Sequence, residues 1–473
     1  MKYNFRKCFT KYFILVGVLF FVGCNLAPKY ETPKSEVPLA NNIGMDITNI
    51  EPDKYFTHPA FQKVIAIALQ NNKNLAVAYS NITVVRETYN IRRADLLPTI
   101  NADASLTRQA APASFASFTP RAIYRTNLTL ANFELDFFGK LRNLKKSARE
   151  QYFATVDSAN VVRLMLISDV ASAYLQLLAD KQITTQIEAA LQNSFEALDI
   201  FTAKHAQGAV LLTQLEEVKL SNLALQTFLE RYKKIVELDK NRLMFLMGIF
   251  GEKFDEGQIP SANFEEISFN ASVISRLPSQ TLLNRPDVKS AEHRLIAANA
   301  NIGVARASFF PSITLTGNYG FLQRDTPNMF SSGGSWALTP NVNIPIFNAG
   351  RLSAAYRLSK VQKQQIINQY KLTIDTAFRE VVDGLKSFEA DASIAKLAAQ
   401  SKNEQGNLCK VVSAKFNQGG ESKLSAISCQ IALLNAAQQH TIAKHAYLFS
   451  MINLYKVLGG GSSTPSQIMA DDL

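Results

Sequence analysis

The chain has 473 residues, 47% hydrophobic and 19% charged, with a formal net charge of +11. That length is too great for one simple core, and the composition is that of a globular chain, not a disordered one. Four of the positive charges (Lys2, Arg6, Lys7, Lys11) sit in the first residues; the mild excess that remains makes no case for nucleic-acid binding, and the absence of any apolar run of about 18 residues after residue 30 argues against a transmembrane helix.

Residues 1–23 read as a lipoprotein signal peptide: a basic start, an apolar stretch from Tyr12 to Phe21, then small residues. The sequence Phe21-Val22-Gly23-Cys24 resembles the bacterial lipoprotein box, in which the cysteine is lipidated and becomes the mature N-terminus. An ordinary signal peptide with an incidental cysteine is the alternative. Asn25 after the cysteine, by resemblance to sorted lipoproteins, points to the outer membrane. Residues 24–58, polar and spaced by prolines, are expected to be extended along other surfaces and to form no core.

A helical pattern starts at Pro59 and runs to Leu96, where Arg93-Ala94-Asp95-Leu96-Leu97-Pro98-Thr99-Ile100 ends it. The same passage returns as Arg306-Ala307-Ser308-Phe309-Phe310-Pro311-Ser312-Ile313. Proline turns the preceding backbone from helical to extended. After each proline the residues alternate: Ile100, Ala102, Ala104 and Leu106 with polar neighbours, then Ile313, Leu315, Gly317, Tyr319 and Phe321. Period-two patterning predicts strands with one apolar face, at 99–109 and 312–323. Second strands are expected at 123–136 and 335–347, the latter carrying Trp336 and Leu338. The alternation in 123–136 slips phase between Leu130 and Phe133, as a bulge would make it.

Next, Gly139-Lys140-Leu141 matches Gly350-Arg351-Leu352, and from there one constant offset carries Ala203-Lys204-His205-Ala206-Gln207-Gly208 onto Ala414-Lys415-Phe416-Asn417-Gln418-Gly419. No proline lies between Pro120 and Pro260, or between Pro345 and Pro465. Such lengths permit very long helices, and a lone glycine between helical runs suits a chain reversal. Helical hairpins are expected at 141–248 and 351–458, with a first helix ~100 Å long. Ile187, Leu191, Phe195, Leu198 and Phe201 step along it like a coiled-coil seam. The chain thus divides into two repeats, 59–248 and 285–459, joined by a linker at 249–284 and followed by a flexible tail at 460–473.

Four strands cannot close a barrel, and an open sheet edge is not tolerated in lipid. Three chains of four strands would close a 12-stranded barrel, with hairpins packed into a helical cylinder below. Ile100, Leu106, Leu315, Tyr319, Phe321, Trp336 and Leu338 would then face lipid. In this twice-repeated order of helix, two strands and helical hairpin, the chain resembles an outer-membrane efflux lipoprotein of the TolC superfamily, in the NodT/OprM branch. The resemblance implies a mainly α protein with membrane β: a homotrimer whose β-barrel lies in the outer membrane and continues as a periplasmic α-helical barrel. It also implies docking onto a periplasmic adaptor and an inner-membrane RND-type or other pump. The segment Cys24 to Pro33 resembles the family's mature start, with Ala27 in place of glycine. The hairpin turns become the periplasmic tip and adaptor contact, carried by Gly208, Gln214, Glu217, Gly419, Glu421 and Ser425. Many relatives hold an aspartate where this chain has Gln214 and Ser425; Glu216, Glu217 and Glu421 are nearby substitutes, or simply solvated.

Cys409 and Cys429 lie ten residues either side of Gly419, at similar height in a symmetric hairpin. A disulfide and two separate packed thiols are both open. The histidines form no metal-ligand spacing, and no phosphate loop or nucleophile elbow is present, so no metal, cofactor or enzyme activity is expected. A periplasmic adaptor also uses helical hairpins, but would carry one, not two.

Overall fold

A computed structural model describes residues 24–33, 52–110, 112, 114, 121–249, 256–270, 279–324 and 334–460. The signal peptide and the 460–473 tail, apart from Gly460, lie outside the described residues. The principal helices and strands are α1 (Pro59–Asn71), α2 (Lys73–Ala94), β1 (Ile100–Arg108), β2 (Ala122–Leu135), α3 (Lys140–Ala206), α4 (Leu212–Met247), α5 (Pro286–Ala307), β3 (Ser312–Arg324), β4 (Ser335–Asn343), α6 (Arg351–Asn417) and α7 (Lys423–Val457).

Two compact units emerge, and they cut across the sequence repeats. Of the described residues, one unit gathers those within 1–34, 81–156 and 290–371, and the other those within 35–80, 157–289 and 372–473. Each therefore takes corresponding portions of both repeats.

The first unit holds one four-stranded antiparallel sheet in the order β1-β2-β3-β4. The phase slip in β2 is a bulge: Leu130 pairs with Gly317 and Phe133 with Leu315. Asn132 takes φ 43°, a left-handed conformation that asparagine tolerates better than most residues. Thr316 Oγ1 donates to its side-chain oxygen at 2.9 Å. The extra residue returns Phe133 and Leu135 to the apolar face. β4 stops at Asn343, short of the expected 347, because Pro345 brings no N–H to the ladder.

The second unit is helical around an aromatic core of Tyr55, Phe56, Phe61, Tyr174, Phe264, Phe269 and Tyr455. Here the expectation for 24–58 needs correcting. Pro52–Tyr55 is a helical turn, and Tyr55 and Phe56 are fully buried, with Tyr55 Oη donating to Met451 O at 2.7 Å. Two adjacent aromatic rings are worth more inside than along a surface. The linker also enters this core through Phe264, Ile267 and Phe269. One window of α3 is apolar enough by composition to span a membrane, yet most of it is buried; Ile167, Val170, Tyr174 and Leu177 explain it as core.

Along α3 and α4, Ile183, Ile187, Leu191 and Leu229 form one cluster, and Ala197, Phe201, Leu215 and Val218 form another. The expected seam fails at one position. Phe195 is exposed, and Ser194 is buried in its place, with Asn222 Nδ2 donating to its hydroxyl at 3.4 Å. Steps of four residues drift around the helix, so a three-residue step is needed there.

Candidate functional site

The sheet register sorts the strand residues by face. Ile100, Ala102, Ala104 and Leu106 stand opposite Leu130, Leu128, Thr126 and Tyr124. Those in turn oppose Gly317, Tyr319, Phe321 and Gln323, and Leu315, Gly317 and Tyr319 oppose Pro340, Leu338 and Trp336. The seven residues singled out from the sequence thus share one face, and Trp336 and Ile100 are 75% and 69% exposed there. The other face carries Asn101, Asp103, Asn127, Arg125, Asn318, Thr314 and Asn341. Thr129 Oγ1 donates to Asp103 Oδ2 on it at 3.0 Å. Among the described residues, β1 and β4 each pair on one side only, leaving an outer row of backbone groups without a strand partner. A polar face, an apolar face and two open edges make a wall segment that further strands would complete.

In the same unit the extended strap at 24–33 is held by side chains of α3 and α5. Asn143 Nδ2 donates to Asn25 Oδ1 at 2.9 Å, Arg306 Nη1 to Leu26 O at 3.2 Å, and Asn299 Nδ2 to Pro28 O at 2.8 Å. Tyr30 Oη donates to Glu292 Oε1 at 3.3 Å, and burial pushes its phenol up to about 12. Cys24 is exposed, and its carbonyl oxygen lies 3.1 Å from where a Cβ on Gly139 would stand. Gly139 sits between the end of β2 and the start of α3, so Cys24 is placed beside the strand–helix junction. None of these partners was legible in the sequence; isolated asparagines at 143 and 299 are the one signal that could have found them.

In the second unit both hairpins turn at left-handed glycines, Gly208 at φ 69° and Gly419 at φ 77°. Nothing lies within 4 Å of where a Cβ would stand at either position, so conformation alone favours glycine there. Gln214 Oε1 accepts from Leu211 N at 3.1 Å, and Ser425 N donates to Ser422 Oγ at 3.0 Å, so Gln214 and Ser422 cap the returning helices. Glu217 is exposed, Glu421 half-buried, and Glu216 paired with Lys219 at 2.8 Å. Cys409 and Cys429 are bonded to each other, with Cα atoms 5.5 Å apart. Two ionic clusters escaped sequence reasoning. Glu265 faces Lys402, His440 and Lys444, and its carboxyl is held low against the cost of burial. Asp239 faces Asp180, and burial with that neighbour pushes its carboxyl up to about 7. Among the described residues no three His, Cys, Asp or Glu side chains are grouped to hold a metal ion.

The sequence pattern of the family described as "Outer membrane efflux protein" matches residues 64–249 and 277–460. The chain belongs to that family. Among outer membrane efflux proteins it is 34% identical over 471 residues to the probable efflux pump outer membrane protein TtgC of Pseudomonas putida, covering 96% of both chains. It is equally 34% identical, with the same coverage, to the toluene efflux pump outer membrane protein TtgC of another Pseudomonas putida strain. Among solved members it resembles the open state of the Neisseria gonorrhoeae MtrE outer membrane channel, with TM-score 0.82, 29% identity, and coverage of 93% of this chain and 98% of that one. The fold is that of the TolC-superfamily channels, a β-barrel continued by an α-helical barrel, and the family's work is efflux across the outer membrane.

Proposed function

We propose that three copies of this chain close a 12-stranded barrel in the outer membrane and form the exit duct of a tripartite efflux system. The observation that carries this is the four-stranded sheet with an apolar exposed face and two open edges, which lipid cannot accommodate in a single chain. Ile100, Leu106, Leu315, Tyr319, Phe321, Trp336 and Leu338 meet lipid and its interfaces, and the opposite polar face lines the lumen. Cys24 carries the lipid anchor. The turns around Gly208 with Gln214 and Glu217, and around Gly419 with Glu421 and Ser425, form the periplasmic end that meets the adaptor. The duct is passive and no catalysis is involved: an inner-membrane pump supplies the free energy. Because a relative is named for toluene efflux, small apolar organic molecules are the first solutes to test. Mass measurement of the purified chain in mild detergent tests the assembly. A three-chain mass is expected, and a one-chain mass would overturn it.

A further inference from the structure

The two hairpins fasten their ends by different chemistry. Under the register that lays Gly419 over Gly208, Cys409 falls on Leu198 and Cys429 on Val218. Leu198 and Val218 of the first hairpin belong to an apolar cluster with Ala197, Phe201 and Leu215, against which Leu424 and Ile427 of α7 also pack, whereas no residue of α6 joins it. The second hairpin has Leu408, Val412 and Ala426 at the places of Ala197, Phe201 and Leu215, and Leu408 is exposed. Beyond Gly384, Cys409 is the single buried residue of α6 down to Asn417. The matching stretch of α3 buries a residue at almost every turn, including Ile183, Ile187, Leu191, Ala197 and Phe201. Few apolar contacts within the chain oppose separation of α6 from α7 there, and local opening follows such a deficit.

We propose that the Cys409–Cys429 bridge is the fastening that holds the end of the second hairpin closed, and that a periplasmic thiol-oxidising protein must install it. At 6% and 8% exposure the two residues are out of an oxidant's reach while the hairpin end is closed, so the bond forms while that end is open. One cysteine thiolate attacks the oxidant's disulfide and displaces one of its sulfurs. The second cysteine thiolate attacks the mixed disulfide, forming the Cys409–Cys429 bond and releasing the other sulfur. The two protons lost by the cysteines end on the oxidant, which is reduced by two electrons to its dithiol. Gln405 Nε2 then lies 3.6 Å from each sulfur of the bridge. The redox state of these cysteines therefore sets the order of the hairpin end.

The test is hydrogen exchange over 405–430 in the full-length oligomer, with maleimide labelling of thiols. Cys409 and Cys429 should label only after reduction. Reduction of the folded protein, or the C409S/C429S pair, should raise amide exchange in that segment about tenfold or more. The C409L/C429V pair, which copies the first hairpin, should restore slow exchange regardless of reductant. Labelling of either cysteine without reductant would overturn the proposal. So would exchange that is unchanged on reducing the wild-type protein, a measurement that stands even where the serine pair fails to fold. None of these readouts depends on conduction, so failure here is distinct from failure of the duct assignment.

Discussion

Gly303 and Ala27 meet with no space for a methyl group between them. A Cβ on Gly303 would stand 2.8 Å from Ala27 Cβ and 2.6 Å from Asn143 Nδ2, the donor that holds Asn25. The glycine in α5 is therefore what lets the strap at 24–33 lie flat on its helices.

Gly303→Ala should release that strap. Alanine favours a helix by ~1 kcal/mol over glycine, so α5 itself gains. The clash costs about 1–3 kcal/mol and falls on the strap. Limited proteolysis with mass readout should show faster cleavage within 24–33 and an intact remainder. Equal cleavage rates would mean that the strap docks without that close approach.

Arg285 joins three partners in the second unit: Asp287 through two hydrogen bonds, Glu380 at 2.9 Å, and Val457 O at 2.8 Å. Its side chain is nearly buried and ties the linker end to the last turn of α7. Arg285→Ala should cost about 2 kcal/mol, because it removes charge-assisted bonds to two part-exposed carboxylates and leaves a buried helix-end carbonyl without its donor. Arg285→Lys should recover less than half, since an ammonium cannot form the fork. Thermal unfolding in detergent measures both; an unchanged midpoint for the alanine variant would contradict the role.

The Asp180–Asp239 pair gives a pH dependence with a definite sign. Gln176 Nε2 donates to Asp180 Oδ2 at 2.7 Å, while burial first and Asp180 second push the Asp239 carboxyl up to about 7. An unfolded carboxyl titrates near ~4. Between these values the unfolded chain has lost a proton that the folded chain keeps, so this group's contribution to stability falls as pH rises. His445, pushed down by burial, acts in the opposite direction but is common to wild type and variant. Asp239→Asn should therefore gain on wild type steadily from pH about 4 to about 7 in thermal midpoint. Parallel curves would contradict the assignment.

The fold was legible where backbone chemistry punctuates the chain. Pro98 and Pro311 mark helix-to-strand changes, Gly208 and Gly419 mark reversals, and the phase slip at Leu130 to Phe133 marks the bulge. Each acts through its own neighbours, so one sequence displays it. Long-range partners left no such trace. Tyr55 and Phe56 sit in a polar, proline-bearing stretch, and much of the core that takes them in, Phe269 and Tyr455 included, comes from far along the chain. Phe195 reads as a seam residue until the drift of the α3–α4 contact passes it by. The strap's partners on α3 and α5, and the partnership of Asp180 with Asp239, join residues far apart in the chain.

The central claim is that these chains join their open sheet edges around a water-filled lumen. Planar-bilayer recording of the purified full-length oligomer tests it most directly. The account predicts a three-chain particle that adds discrete, lasting conductance steps. A one-chain particle that leaves the current at baseline would contradict it.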